Sequence, residues 1–211
     1  MFHNSRSKPK TTTRKTPVQR RSRATVAVIL EAAAHVLEER GHAGFTTNHV
    51  AQRAGVSIGS LYQYFSDKDA LLTALVSHDV DWTERALLDR LARMRPGAVS
   101  DEAWARAFIR VWSESHGEAH HPLLHAISSG LPGVRERGEA AVDAVSREVA
   151  RHLRQRGVPK PALRARIIVL TGLTLIHDLV IALPRGPKRR AAEAESVRVI
   201  AAYLSAVTPR T

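Results

Sequence analysis

Residues 55–59 read Gly-Val-Ser-Ile-Gly, the G-x-S-x-G spacing that presents a nucleophilic serine in hydrolases. That chemistry needs a strand before Ser57, because the sharp strand-to-helix turn is what exposes the hydroxyl. The preceding "TTNHVAQRA" has helical spacing and offers no strand, and no downstream acid and histidine stand in a recognisable triad setting. A second grouping, His116, His120, His121 and His125, places imidazoles four apart, as a zinc pair would need. Pro122 interrupts any helix through it, and no third ligand beyond Glu118 is obvious. Capping or solvent-facing histidines are the expectation there, and neither a metal nor a cofactor is assigned.

The elements around Ser57 suggest different work. Apolar residues recur at helical spacing along nearly the whole chain, and nothing alternates at period two for long, so the fold class expected is all-α. A first helix is expected over 22–40, with Ile29, Ala33, Val36 and Leu37 on one face and Gly41 as its stop. Thr46 or Thr47 caps a short helix that ends at Gly55, and Ser57 caps a second one closing near Phe65. Ser66 and Asp69 have capping-box spacing at the head of a long helix reaching about Met94. Further helices are expected over about 100–118, 122–129, 133–156, 160–183 and 189–207, separated by Gly and Pro.

Two short helices joined by a glycine turn make a helix-turn-helix. In it Val50, Ala51, Ala54, Val56, Leu61 and Phe65 face inward, which leaves Ile58, Gly59, Tyr62 and Gln63 on the other side. Such a face suits DNA: Gly59 admits close backbone approach, Tyr62 donates to a phosphate and Ile58 meets a thymine methyl. Lys68, at the head of the next helix, is in reach of a further phosphate. The structural alternative is that Tyr62 and Tyr64 are ordinary half-buried aromatics.

Charge distribution agrees with a polyanion partner. The 211-residue chain carries a net +12, and Arg6, Lys8, Lys10, Arg14, Lys15, Arg20, Arg21 and Arg23 supply +8 of it with no acid among them. Such an arm without an apolar face points to nucleic acid before membrane. The alternative is a solvated tail that aids solubility. Absence of cysteine excludes a disulfide framework and thiolate metal sites and fits a cytoplasmic location. No signal peptide is evident, and the most apolar run, residues 167–183, contains His177 and Asp178 and falls short of a membrane span.

The stretch "ILEAAAHVLEERGHAGFTTNHVAQRAGVSIGSLYQYFSDKDALLTAL", with "FTT", "VAQRAGVS", "SLYQYF" and "DKDALL" in order, closely resembles the N-terminal domain of the tetracycline-repressor (TetR/AcrR) family of bacterial regulators. The resemblance implies a three-helix DNA-binding domain over 21–68, after a basic arm over 1–20 and before a larger effector-binding and dimerisation domain over 69–211. By position it puts Thr47, Asn48, Ser57, Ile58, Gly59, Ser60, Tyr62 and Tyr64 on DNA, with Lys68 on its backbone; His49 receives no role. It further implies a homodimer through about 160–207 on a palindromic operator, and repression relieved by a small-molecule effector. The apolar helix over 160–183 and the stripe Ala194, Val197, Ile200, Ala201, Leu204 and Val207 would supply the dimer surface.

Effector contacts are less legible. Trp104, Phe108 and Trp112 are spaced by four and, with Trp82, are candidates to line an apolar pocket, although such a stripe is more often plain core. His125 and His177 are polar candidates for the same pocket. Two other function classes stay open at this level: a hydrolase using Ser57, and a nonspecific duplex binder driven by the arm.

Overall fold

The computed structural model describes residues 17–94, 99–115, 131 and 133–209. The basic arm before residue 17, the expected helix over 122–129 and the histidines over 116–125 lie outside them. All regular structure among the described residues is helical: α1 (Pro17–Gly44), α2 (Thr47–Ala54), α3 (Ile58–Tyr62), α4 (Lys68–Arg93), α5 (Asp101–Ser115), α6 (Val134–Gln155), α7 (Pro161–Thr174) and α8 (Pro187–Val207). A wider, π-helical stretch, Leu175–Ile181, continues α7. None of these helices is long and apolar enough to cross a membrane.

Local chemistry sets the boundaries. α1 breaks direction at Gly41 (φ 64°, ψ 179°), where the sequence predicts its stop, and one further turn reaches Gly44. The head of α4 differs from expectation. Asp67, not Ser66, caps it: the Asp67 carboxylate accepts from the Ala70 amide at 2.8 Å, and Ser66 Oγ donates to that carboxylate at 2.9 Å. These bonds hold the Asp67 carboxyl below its usual range, with the Ala70 amide the largest cause. A carboxylate is the stronger acceptor, so Ser66 supports the cap instead of forming it.

Two hydrophobic cores result, and α4 belongs to both. Leu71, Leu72, Leu75 and Val76 join Ile29, Val36, Leu37, Phe45, Val50 and Leu61 in the first. Leu87 and Leu91, further along, join Trp104, Phe108, Val149, Leu153, Ile168 and Ile200 in the second. The first core thus continues on α4 past the expected boundary at 68/69. It also takes in Val134 at the head of α6, where Arg137 donates to Asp81 (2.6 Å) and to Glu84.

The apolar stripe on α8 faces the chain's own interior. Val197, Ile200 and Leu204 are buried in the second core, Ala201 and Val207 pack against it, and Ala194 is exposed. It is therefore not the surface expected for a partner. Leu163, Ile167, Leu170, Leu179 and Val199, on α7, its π-helical continuation and α8, stand exposed instead. Periodicity marks an apolar stripe but cannot tell which neighbour covers it.

The second core contains a histidine that the sequence did not single out. His152 is 3% exposed, its ring 5.6 Å from Trp104. Burial, reinforced by the charges of Arg156 and Arg151, lowers its pKa to about 4. The unfolded chain takes up this proton near pH 6.5, so within that window unfolding binds a proton and stability rises with pH. Acidification from about 6.5 toward 4 is expected to lower the unfolding free energy by up to roughly 1.4 kcal/mol per pH unit through this group. Urea titrations at stepped pH should show a shallower dependence in His152→Phe, and an unchanged one would contradict this account. Close packing makes a second prediction. A Cβ on Gly172 would stand 2.7 Å from Phe108, whose ring is fully buried and stacked on Trp104 at 5.3 Å. Gly172→Ala should cost about 1–3 kcal/mol by overpacking, read as a lower melting temperature.

Candidate nucleic-acid interface

α2 and α3 are too short to persist alone and are held by caps and burial. Thr46 Oγ1 accepts from the His49 amide (3.2 Å) at the head of α2. Gly55, in the left-handed region at φ 66°, ends it, and the Val56 amide bonds back to the Ala51 carbonyl at 3.1 Å. Ser57 Oγ accepts from the Ser60 amide (3.0 Å) and shares a hydrogen bond with Ser60 Oγ (2.8 Å). The G-x-S-x-G serine is thus a helix cap that follows a helix, without the strand an elbow requires.

Inward-facing Val50, Ala51, Leu61 and Phe65 are buried in the first core, and Val56 packs against it. Outward, Ile58 is 37% and Tyr62 50% exposed, and Asn48, Ser57 and Gly59 are exposed beside them. Thr47 and Ser60 are half-buried. The Tyr62 hydroxyl lies 3.2 Å from Thr47 Oγ1, so α2 and α3 are joined across the turn on this outer face. Tyr64 is half-buried and packs against the first core, turned further inward than its neighbours. Lys68, also half-buried, donates from Nζ to the His42 carbonyl at 3.0 Å.

His49, given no role from sequence, braces α2 on α1. Its Nδ1 meets the Gly44 carbonyl at 3.2 Å, which leaves Nε2 to accept from Arg40 at 3.4 Å. Arg53 pairs with Glu39 at 2.7 Å nearby, and Val36, Gln52 and these four residues line an open cleft of about 270 Å³. These partners lie 5 to 14 residues apart and join α1 to α2, beyond any helical spacing rule.

Of the effector-pocket candidates, Trp104 and Phe108 come together, fully buried and stacked. The Trp104 indole N–H is buried without a hydrogen-bond partner among the described residues. Trp82 does not join them. The buried stripe of α4 runs Thr83, Leu87 and Leu91, and Trp82 lies off it, 46% exposed. His177 is half-buried within the π-helical stretch, and Asp178 beside it is exposed. The side chain of Trp112, and His125, lie outside the described residues, as do His116, His120 and His121. No group of three or more potential metal-ligating side chains occurs among the described residues.

Capped short helices, a glycine turn and an exposed apolar-polar face define a helix-turn-helix. Comparison with known proteins agrees. Residues 29–75 match the family described as "Bacterial regulatory proteins, tetR family". The HTH-type transcriptional regulator BetI of Paraburkholderia phytofirmans is 39% identical over 75 residues, 36% of this chain and 36% of its own length. The chain thus spans about a third of that relative. A TetR-family regulator from Mesorhizobium loti superposes with TM-score 0.73 at 17% identity, covering 90% of this chain and 99% of its own. The multidrug binding protein EbrR, complexed with imidazole, does so with TM-score 0.61 at 21% identity, over 88% of this chain and 96% of its own. Residues 29–75 thus match the TetR-family model, and the fold of the described residues is similar to that of TetR-family regulators.

The two glycines of the motif should respond oppositely to alanine. Gly55→Ala puts a side chain in the left-handed region and should cost about 1 kcal/mol. Gly59 has no such φ and nothing nearer than Ser57 Oγ at 3.9 Å, so Gly59→Ala should stabilise by about 0.5–1 kcal/mol. Thermal melting without DNA reads both.

Proposed function

We propose that the chain is a sequence-specific repressor, a homodimer on a palindromic operator, released when a small molecule binds its C-terminal half. One observation carries the DNA reading. Ile58, Gly59 and Tyr62 form an outward face on a helix whose other side is anchored in the core by Leu61, with Phe65 buried just beyond its end. A merely electrostatic binder has no need of such a shaped face. Ile58 and Gly59 read base edges, Ser57 and Ser60 approach the same groove, and Thr47, Asn48 and Tyr62 grip the flanking phosphates. Tyr64, turned toward the core, contributes at the margin.

The dimer reading is supported by Leu163, Ile167 and Leu170, which recur at helical spacing on α7 and stand exposed with Leu179 and Val199. Effector control is supported by the buried Trp104–Phe108 stack, whose indole donor has no partner among the described residues, and by His177; Trp82, Trp112 and His125 remain candidates. EbrR, with a similar fold, was captured with imidazole. A route between the halves exists on α4, which serves both cores and is gripped by Arg137 at Asp81 and Glu84. Effector binding favours an arrangement of the dimer whose recognition helices no longer match the groove spacing.

Selection of bound duplexes from a random pool at fixed salt tests this. The expected product is one palindrome with half-sites about one helical turn apart, and Tyr62→Ala should blunt its enrichment. Gly59→Ala, although more stable, should bind that palindrome less well. Equal retention of all duplexes would leave a charge-driven DNA binder and overturn the repressor reading.

A further inference from the structure

We infer that Lys68 is a positioning residue: its ammonium clamps the connection between α1 and α2 to the head of α4, and so fixes where the recognition helix sits, instead of neutralising a DNA phosphate. The inference rests on the DNA-binding reading above and departs from the backbone contact that the family resemblance implies for this position.

The connection over residues 41–46 needs such a clamp. α1 breaks at Gly41, Phe45 is fully buried, and Thr46 caps α2, so these six residues set the entry angle of the helix-turn-helix. Carbonyls at a helix C-terminus lack intrahelical partners and carry the negative end of the helix dipole. Two side chains meet them here from different elements. His49 of α2 reaches the Gly44 carbonyl, and Lys68 of α4 donates to the His42 carbonyl at 3.0 Å. Lys68 Nζ also lies 5.9 Å from the centroid of the buried Phe45 ring, within cation–π range.

Lys68 is the first residue of α4, where the helix dipole disfavours a cation. The carbonyl and the ring offset that cost. Turning outward to a phosphate would forfeit both and leave the His42 carbonyl to water. The clamp also has a consequence for control. α4 is held at Asp81 and Glu84 by Arg137, so a displacement imposed there arrives at Lys68 and passes to the first turn of α2.

Lys68→Met and Lys68→Arg, titrated against the selected palindrome and a scrambled duplex over a salt series, separate the two roles. For a clamp, Lys68→Met loses about tenfold on the palindrome, the size of one charge-assisted hydrogen bond. Its scrambled-duplex affinity and salt slope stay those of the parent, and Lys68→Arg, which keeps a donor, recovers most of the loss. A phosphate contact would instead weaken both duplexes alike and lower the slope by about 0.9, which would overturn the inference. Amide exchange of the DNA-free chain gives an independent reading: residues 42–46 should exchange several-fold faster in Lys68→Met, and unchanged exchange would also overturn it. Because that arm needs no DNA, it decides the clamp even if the parent chain selects no palindrome and the repressor reading itself fails.

Discussion

Burial of Leu61 and Phe65 is the constraint on which the rest depends. A helix of five residues has too few internal hydrogen bonds to offset its own nucleation, so α3 exists because Leu61 on one side of it and Phe65 just after it complete a core built by α1, α2 and α4. Anchoring that side dictates what the other side does. Ile58 and Tyr62 cannot reach the core without pulling Leu61 out, so they stand in solvent. The Ser57 and Thr46 caps and the Gly55 turn then fix the relative direction of α2 and α3 within a few residues. The exposed face is thus a by-product of how little of α3 the core can use.

α4 extends that constraint through the molecule. Its first half closes the core under the recognition helix, its second half enters the core around Trp104 and Phe108, and Asp81 and Glu84 tie its middle to α6. A single stiff element with one face in each core cannot shift at one end without disturbing the other, since packed interiors have little room to absorb strain. The two halves are therefore mechanically one object, although they bury separate sets of side chains.

Short-range features were legible in the sequence because they follow from local stereochemistry. The breaks at Gly41 and Gly55, the caps at Thr46 and Ser57, and the inward set Val50, Ala51, Leu61 and Phe65 all appear where spacing puts them. The head of α4 was misread because the capping-box pattern favours Ser66, while the adjacent Asp67 offers a stronger acceptor. The α8 stripe was misassigned for a different reason. A helical pattern states that a face is apolar, not which of several neighbours covers it. The links of Lys68 to His42, His49 to Gly44 and His152 to Trp104 join residues from different elements and leave no trace in composition or period.

Ile58, Gly59, Tyr62 and Asn48 contribute almost nothing to either core, and the fold asks only that they be tolerated on short, externally anchored helices. Their side chains are free to vary while Leu61, Phe65, Val50 and Ala51 are not. The motif thus separates a buried chassis from a face that the core does not constrain. If that face reads DNA as proposed, new target sequences become accessible through a handful of substitutions at solvent-facing positions, without any renegotiation of the architecture beneath them.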